Sequence, residues 1–323
     1  CIATENGCRF SREPGVLPAM LDELFPQRSR AKAVGDESAS QAIKILMNSF
    51  YGVLGAPSCR FYNPAIANAI TGQGRHLLSW SKDWFESQGF QVLYGDTDSV
   101  FVASGRSDAQ VAFDLGQSLV ARFNTDLTDY LRERYAVDSR LELEFEKLYT
   151  QLFLARVRGG SQGARKRYAG KIFGSDAVEF VGMEVVRRDW TELAKIIQRH
   201  LFERLFQGEE VASYLQEIIQ QFRSGELDHL LVYHKGLRKP VSAYTTNVPP
   251  HVQAVKQSKA PAPRVVAYVI TTAGPQLVNE VSAPLDRDHY LQKQILPVAT
   301  PVLEALGLAF NQVIGDDRQI ALF

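Results

Sequence analysis

The chain has 323 residues, of which 45% are hydrophobic and 22% charged, and this composition excludes collagen-like, low-complexity and wholly disordered proteins. Its 36 basic residues balance 36 acidic ones, so only a local cluster of charge could attract a polyanion. No apolar stretch approaches the ~20 residues that a membrane-spanning helix needs.

The first hundred residues are predicted to form helices followed by a hairpin. Apolar residues at helical spacing cover residues 14–55, and a second helix begins within that range near Ser38 or Ser40. An amphipathic helix follows over residues 64–88. Two short strands are predicted within residues 91–103, on either side of a turn made by Gly95-Asp96-Thr97-Asp98.

The rest of the chain changes from mixed structure to mainly helix. A helix is predicted over residues 111–131, and a half-buried strand over residues 141–146, where apolar residues alternate with glutamates. Beyond about Arg187, helical spacing returns over residues 193–205 and 211–222, followed by a strand-poor, proline-punctuated stretch. The pattern predicts an α+β fold with a domain boundary near residue 187.

Two aspartates, Asp96 and Asp98, mark the turn between the predicted strands. Carboxylates at this spacing suit Mg²⁺, which proteins hold with one or two acidic side chains together with substrate phosphates. Asp and Gly also form turns for conformational reasons alone, and a bare Asp-x-Asp favours that simpler explanation. The apolar flanks, residues 92–93 and 100–102, are expected to be buried, which places the acids at the tip of a core hairpin and favours the metal site.

A polar stripe runs along the second predicted helix. At 100° per residue, Lys44, Asn48 and Tyr51 share one face, whereas the opposite face is apolar. A cation, an amide and a phenol in line could hold a phosphate and pack beside a base. Helical spacing alone, however, favours an ordinary exposed face.

Basic residues cluster between Arg156 and Lys171 with no acidic residue among them. Such a cluster would neutralise several phosphates if its side chains shared one surface. A solvated basic loop is the alternative, since runs of charge commonly lie in such loops. The cluster comprises Arg156, Arg158, Arg165, Lys166, Arg167 and Lys171.

Taken together, these segments resemble the family B DNA polymerases. Lys-x-x-x-Asn-Ser-x-Tyr-Gly from Lys44, and Tyr-Gly-Asp-Thr-Asp-Ser from Tyr94, are similar to motifs B and C of that family. Residues 165–170 are similar to its Lys-Lys-Arg-Tyr primer-gripping segment, and residues 182–190 resemble its palm-to-thumb junction. The four motifs follow the family's order across about 145 residues, and residues 247–252 resemble its bacterial members.

The resemblance implies the right-hand architecture of a polymerase. Residues 1–55 would be the C-terminal part of helical fingers, residues 56–187 a palm of antiparallel sheet plus helices, and residues 188–323 a mainly helical thumb. The implied activity is template-directed transfer of nucleotides from dNTPs to a primer 3′-OH, in DNA replication or repair. The implied cofactor is Mg²⁺ in a two-metal site, and the implied location is the cytoplasm, at the bacterial nucleoid.

The resemblance also implies roles for individual residues. Asp98 would be the principal catalytic metal ligand, supported by Asp96, and Lys44 would neutralise charge in the reaction. The incoming nucleotide would be bound by Arg28, Lys32, Lys44, Asn48 and Tyr51. The primer strand would be held by Arg165, Lys166, Arg167 and Tyr168.

Part of the family's catalytic pattern is missing from these residues. Motif A, an aspartate that bridges both metals followed by Ser-Leu-Tyr-Pro-Ser, does not occur in the sequence, and neither does the exonuclease domain. The first residue is Cys rather than Met, so we expect a piece of a longer protein. The isolated chain is therefore predicted to be inactive.

The last five residues, Gln319-Ile320-Ala321-Leu322-Phe323, resemble the Gln-x-x-Leu-Phe consensus of ligands of the bacterial sliding clamp. Apolar residues at a chain end are poorly placed to bury in their own fold. Leu322 and Phe323 would therefore enter a pocket of the clamp, and Gln319 would set the register by hydrogen bonding. A tail docked on its own domain is the alternative.

Two other functions also fit part of the sequence. A non-catalytic DNA-binding module, such as a degenerate polymerase, would share the basic cluster but would not need the intact Asp-Thr-Asp and Lys44. A metal-dependent nuclease would share the aspartates but would not need the Lys-x-x-x-Asn helix. The three cysteines form no Cys-x-x-Cys pair, which argues against a disulfide framework or a zinc knuckle and favours a reducing compartment.

Overall fold

A computed structural model describes residues 1–4, 6–13, 15–156 and 163–315. The chain divides into two compact units, Cys1–Glu146 and Lys147–Phe323. Each unit combines helices with small antiparallel sheets, which confirms the predicted α+β class. The division falls inside the predicted palm, and the assignment of fingers, palm and thumb stays a prediction. No helix in the described part of the chain has both the length and the apolar character needed to cross a membrane.

The first unit combines four long helices with two hairpins. The helices are α1 (Val16–Ala33), α2 (Glu37–Gly55), α3 (Pro64–Ser87) and α4 (Ala109–Tyr135), and the strands are β1 (Ile2–Ala3), β2 (Arg9–Phe10), β3 (Val92–Asp96) and β4 (Ser99–Val102). The helix α2 begins before Ser38, because the carboxylate of Asp36 accepts a hydrogen bond from the backbone N–H of Ala39 at 2.9 Å and caps the helix.

Aromatic packing between α3 and α4 forms the core of this unit. The rings of Trp84 and Phe85 both contact Phe123, at centroid distances of 5.2 and 5.5 Å. The indole N–H of Trp84 donates a hydrogen bond to Asp126 at 2.7 Å, so the buried polar atom of the ring is satisfied. The helix α3 also packs against α2 and against the hairpin β3–β4. It therefore connects the two parts of the chain that carry candidate site residues.

The predicted strand over residues 141–146 is wrong, since none of these residues lies in a strand. A helix side chain takes the place of a strand partner: Asn124 Nδ2 donates to the carbonyl of Leu143 at 2.9 Å, and the N–H of Leu143 donates to Asn124 Oδ1 at 2.8 Å. The ring of Phe145 lies over Gly116 on α4 and meets Phe113 edge to face. An extended segment packed on a helix produces the same alternation as a half-buried strand.

The second unit contains two three-stranded antiparallel sheets, with strand orders β5-β6-β7 and β10-β9-β8, and several helices. The strands are β5 (Tyr149–Arg156), β6 (Gly163–Ile172), β7 (Val178–Val181), β8 (Tyr233–Gly236), β9 (Val265–Thr271) and β10 (Gly274–Leu277). The helices are α5 (Glu192–Gln207), α6 (Ala212–Ser224), α7 (Pro250–Gln257), α8 (Arg287–Tyr290), α9 (Leu296–Ala305) and α10 (Phe310–Ile314). Short 3₁₀ turns occupy Glu184–Val186, Asp228–Leu230, Val241–Ala243 and Val278–Glu280, and a π-helical turn occupies Leu291–Ile295.

Helices α5 and α6 end at Gly208 and Gly225, which adopt left-handed backbone angles of 71° and 91° in φ. Both ends lie within two residues of those that the sequence predicts. None of the strands β5–β10 was predicted individually from the sequence. Between α6 and α7, β8 lies in the stretch that was predicted to be strand-poor, and of its four residues only Tyr233 is buried. The core of this unit includes the buried side chains Leu193, Ile197, Leu201, Phe202, Leu215, Val298 and Val302. This core holds α5 against α9 beside the β5–β7 sheet.

Candidate functional site

The two aspartates lie at the tip of the hairpin β3–β4. Asp96 is opposite Ser99, so Thr97 and Asp98 form the connecting turn. Thr97 has a left-handed backbone with φ 53°, and the N–H of Asp98 donates to the carbonyl of Asp96 at 2.6 Å. The hydroxyl of Thr97 also donates to Asp96 Oδ1 at 3.1 Å. The turn holds Asp96 and Asp98 at the tip of the hairpin, with Asp98 exposed and Asp96 half-buried.

The strands that carry this turn are less buried than the sequence predicts. Val92, Val100 and Val102 are half-buried against the α3–α4 aromatic core. Leu93 is 44% exposed, because alternate residues of a strand point to opposite faces and only one face of this hairpin meets the helices. Asp98 borders a cavity of about 210 Å³ whose walls are mainly apolar. The hairpin that carries the carboxylates thus packs against the helices of the first unit through one of its two faces.

The donor set of this turn suits magnesium, although it is incomplete on its own. Mg²⁺ is held by one or two protein carboxylates, with waters and substrate phosphates supplying the other oxygens, and Asp96 and Asp98 provide two. Within the described ranges, no group of three or more His, Cys, Asp or Glu side chains could hold a metal ion. The described residues thus offer two neighbouring carboxylates, and a Mg²⁺ ion bound there would take its other oxygens from water or substrate phosphates.

The candidate nucleotide-binding residues lie on α1 and α2, which pack against each other. Arg28 and Lys32 are one turn apart on α1, and Arg28 Nε is buried with no hydrogen-bond partner among the residues described. Lys44, Asn48 and Tyr51 lie along α2 and are all exposed, Tyr51 by 43%. The apolar Ile45 and Leu46 are exposed as well, by 60% and 47%, so exposure alone does not set the polar stripe apart.

The candidate primer-binding residues are consecutive on β6, in the second unit. Arg165 and Lys166 are exposed, whereas Arg167 and Tyr168 are half-buried. Lys166 has a left-handed backbone with φ 55°, which interrupts the regular alternation of the strand. The ring of Tyr168 meets that of Tyr149 edge to face at 6.2 Å. Of these residues, Arg165 and Lys166 are thus the two cations exposed on β6, whereas Arg156 of the basic cluster lies at the end of β5.

Four groups of site residues result: the aspartate turn, the α1 cations, the α2 stripe and the basic strand. The first three belong to the first unit and the fourth belongs to the second. Arg158 of the basic cluster lies outside the described residues, and so do Gln319, Leu322 and Phe323 of the C-terminal pentapeptide.

Glu184 was not predicted to be a site residue. This glutamate is 1% exposed and forms an ion pair with Arg167, so it acts directly on the basic strand. The available signal was an acid within an apolar run, Met183-Glu184-Val185-Val186, since acids are seldom fully buried unless paired.

Comparisons with known proteins give a consistent result. The model of DNA polymerase family B matches residues 3–306. The chain is 40% identical over 308 residues to DNA polymerase II of Escherichia coli (strain K12), covering 91% of this chain and 39% of that protein. It is 29% identical over 336 residues to a DNA polymerase of Archaeoglobus fulgidus, covering 94% of this chain and 39% of that protein.

Among solved structures, the family B DNA polymerase from the hyperthermophilic archaeon Pyrobaculum calidifontis matches with a TM-score of 0.62 and 26% identity. The match covers 96% of this chain and 41% of that one. The chain therefore spans about two fifths of the length of the relatives that it matches.

Proposed function

The chain belongs to DNA polymerase family B, and we propose that it contributes to template-directed DNA synthesis in replication or repair. The reaction is transfer of a nucleotide from a dNTP to the 3′-OH of a primer. Because the chain spans about two fifths of its relatives, we propose that it acts as part of a larger polymerase. The names fingers (1–55), palm (56–187) and thumb (188–323) are proposed on the same ground.

The observation that carries this proposal is the placement of Asp96 and Asp98 on a hairpin that packs against α3. The same helix packs against α2, which bears Lys44. A carboxylate pair and a phosphate-binding cation thus share one support in the first unit. Such a support favours phosphoryl transfer, which depends on positioning and on neutralising charge rather than on a covalent enzyme intermediate.

The helix residues act on the incoming dNTP. Lys44, with Arg28 and Lys32, binds the triphosphate and offsets the negative charge that develops on its oxygens. Asn48 lies one turn along the same stripe and donates hydrogen bonds to the nucleotide. Tyr51 presents its ring beside the nascent base pair, where stacking orients the base.

Asp98, supported by Asp96, is proposed to hold Mg²⁺ in a two-metal site. When bound, the metal supplies positive charge beside the attacking and leaving oxygens. A further carboxylate is proposed to come from outside these 323 residues, since the motif A pattern does not occur among them. The catalytic centre is therefore proposed to be complete only in the larger polymerase.

The exposed side of β6 is proposed to lie along the primer strand. Arg165 and Lys166 contact its phosphates, and Tyr168 lies near the primer end. Contacts of this kind fix register and orientation without reading sequence. They would keep the 3′-OH aligned with the dNTP, which is worth a large part of the rate in reactions of this class.

The C-terminal pentapeptide is proposed to bind the bacterial sliding clamp, and the polymerase is proposed to work on DNA at the nucleoid. Gln319, Leu322 and Phe323 would be the contact residues. This proposal rests on the sequence of the pentapeptide alone.

A primer-extension assay tests the proposed function. The 323-residue chain and the complete polymerase that contains it are each given primer-template DNA, dNTPs and Mg²⁺. We expect templated extension by the complete polymerase, and salt-dependent DNA binding without extension by the chain alone.

The outcomes separate the two parts of the proposal. Extension by the purified chain alone would contradict the role of an outside carboxylate. Failure of the complete polymerase to extend any primer would contradict DNA synthesis and favour a non-catalytic DNA-binding module, which shares the basic strand.

A further inference from the structure

Glu184 is a fully enclosed acid whose two carboxylate oxygens have different partners. Its side chain is 1% exposed, and Oε1 accepts a hydrogen bond from Arg167 Nη2 at 2.5 Å. Oε2 accepts from Gln198 Nε2 at 2.8 Å, and Gln198 Oε1 in turn accepts from the N–H of Val185 at 2.7 Å. Removing a charge from water is costly unless it is paired, so these contacts hold the carboxylate in one place.

A backbone contact fixes the same strand one residue earlier. Gly182 has φ 62°, and a Cβ on it would lie 1.9 Å from the carbonyl oxygen of Lys166. Only glycine permits this approach, because both the left-handed backbone and the distance exclude a side chain. Gly182 follows β7 and leads within two residues to Glu184. The same short segment, residues 182–184, therefore places Glu184 beside Arg167 and packs the backbone of Gly182 closely against the carbonyl of Lys166.

Arg167 differs from its neighbour Arg165, although both lie on the basic strand. The side chain of Arg167 is 27% exposed, its Nη2 is bound to Glu184, and its Nε is buried with no hydrogen-bond partner in the described part of the chain. Arg165 is exposed. Binding to DNA gains its salt dependence from cations that displace counterions from phosphates. A cation that is already paired with a buried carboxylate does not bind a phosphate and therefore releases no counterions from the DNA.

We propose that Glu184 is a positioning residue, which acts through Arg167 to aim the primer-binding strand. Its carboxylate keeps Arg167 within the protein, so Arg165, and not Arg167, adds charge to the phosphate contact. Gln198 connects the carboxylate to α5, and the strand is thereby tied to that helix. The inference rests on the proposed function, because it concerns how β6 meets DNA.

The test compares two arginines on the same strand in the complete polymerase. Primer-template binding is measured over a range of salt concentrations for the wild type, Arg167→Met and the matched control Arg165→Met. The slope of log K against log [salt] is negative, and we expect Arg165→Met to make it shallower by about 0.9, because one phosphate contact is lost. Arg167→Met should leave the slope unchanged, yet lower the extension rate on the order of 10- to 100-fold, because the strand loses its alignment.

A second pair of variants keeps the test decisive if Arg167→Met does not fold. Glu184→Gln preserves the shape of the side chain but releases the charge of Arg167, so the slope should steepen by about 0.9 while extension falls. The double variant Glu184→Gln/Arg167→Met should return the slope to that of the wild type. If Glu184 had a merely structural role, Glu184→Gln would not steepen the slope, and adding Arg167→Met would not reverse that change.

Two results would overturn the inference alone: a slope reduced as much by Arg167→Met as by Arg165→Met, or a slope and an extension rate both unchanged in Glu184→Gln. A wild-type polymerase that does not bind primer-template DNA would overturn the proposed function, and this inference with it. If the wild-type polymerase binds and extends DNA, the proposed function stands, and a negative result for the variants overturns only this inference.

Discussion

The hydroxyl of Tyr149 donates a hydrogen bond to the carboxylate of Glu179, reaching across the central strand β6. The tyrosine ring lies on Gly170, where a Cβ would come within 2.4 Å of it. Lys147 Nζ donates to both oxygens of the same carboxylate, at 3.0 and 3.2 Å. Burial, and then the contact with Glu179, raise the pKa of Tyr149 well above its ordinary value. This group holds the ring that contacts Tyr168.

The stability of the chain should depend on the charge of Glu179. Burial by itself raises the pKa of Glu179, but the hydrogen bonds from Tyr149 and Lys147 outweigh it and lower the pKa below the ordinary 4.5. The stabilisation is therefore fully present above about pH 4.5 and is lost as the pH falls through the lowered value. Urea unfolding measures the difference in the free energy of unfolding between the wild type and Glu179→Gln. This difference should be constant above about pH 5 and should shrink as the pH falls below about 4.5.

The control for this measurement is Glu226→Gln, which changes an exposed glutamate of the same unit. Its free energy of unfolding should stay within about 0.5 kcal/mol of the wild type, as for most exposed positions. A difference for Glu179→Gln that grew on acidification would show that the carboxylate is not stabilised in its charged form.

Asp98→Asn in the complete polymerase should abolish incorporation, with a loss on the order of 10³-fold or more, while leaving the affinity for primer-template DNA nearly intact. The substitution keeps the shape of the side chain and removes the charge of a proposed metal ligand, whereas the proposed phosphate contacts lie on β6. Single-turnover incorporation and equilibrium DNA binding measure the two effects. Asp83→Asn, an exposed aspartate on α3, is the matched control. Near-normal turnover of Asp98→Asn would refute the metal assignment.

Lys44→Ala should impair use of the dNTP rather than binding of DNA. If Lys44 contacts the triphosphate as proposed, its loss should lower the incorporation rate on the order of 10²-fold and raise the apparent KM for dNTP. The exposed Lys82, paired with Glu86 one turn along α3 at 3.5 Å, offers a control, since exposed pairs contribute little. If Lys44→Ala and Lys82→Ala gave the same kinetics, the polar stripe of α2 would be an ordinary solvent-exposed face.

Deleting residues 319–323 should remove stimulation by the sliding clamp and little else. Paired apolar anchors of a peptide typically contribute ~2 kcal/mol or more each, enough to abolish a weak contact when they are lost. The melting temperature and clamp-free synthesis should be almost unchanged, because a terminal tail adds little to a core. Product length with and without the clamp is the measurement. A large fall in melting temperature would instead show that the tail packs on its own domain.

Local patterns in the sequence were enough to predict the long helices and the aspartate turn. Helix α3 begins where Asn63 accepts a hydrogen bond from the N–H of Ile66 at 3.2 Å and Pro64 takes the first helical position, and both residues are recognisable helix starts. The turn follows from Gly95 and the two aspartates, whose side chains favour tight turns. These features depend on neighbours a few residues apart.

Contacts between distant segments could not be predicted in the same way. Strand β8 exists because Tyr233 and its neighbours pair with β9, beyond α7 in the sequence. Glu184 joins Arg167, 17 residues away, with Gln198, 14 residues away in the other direction. Periodicity shows which face of an element is apolar, and not which partner covers it. The residues that support the candidate site were therefore harder to predict than those that form it.

The pairing of Asn124 with Leu143 also bears on how the molecule avoids aggregation. An extended segment with vacant backbone groups is a template on which another chain can add a strand. The side chain of Asn124 is hydrogen-bonded to both the N–H and the C=O of Leu143, so an added strand could not pair with these groups. The neighbouring side chains of Glu142, Glu144 and Glu146 are exposed and of one charge, and a second copy of the segment would be repelled by them. One amide from a helix thus satisfies the backbone of Leu143 as a neighbouring strand would, without a sheet being built.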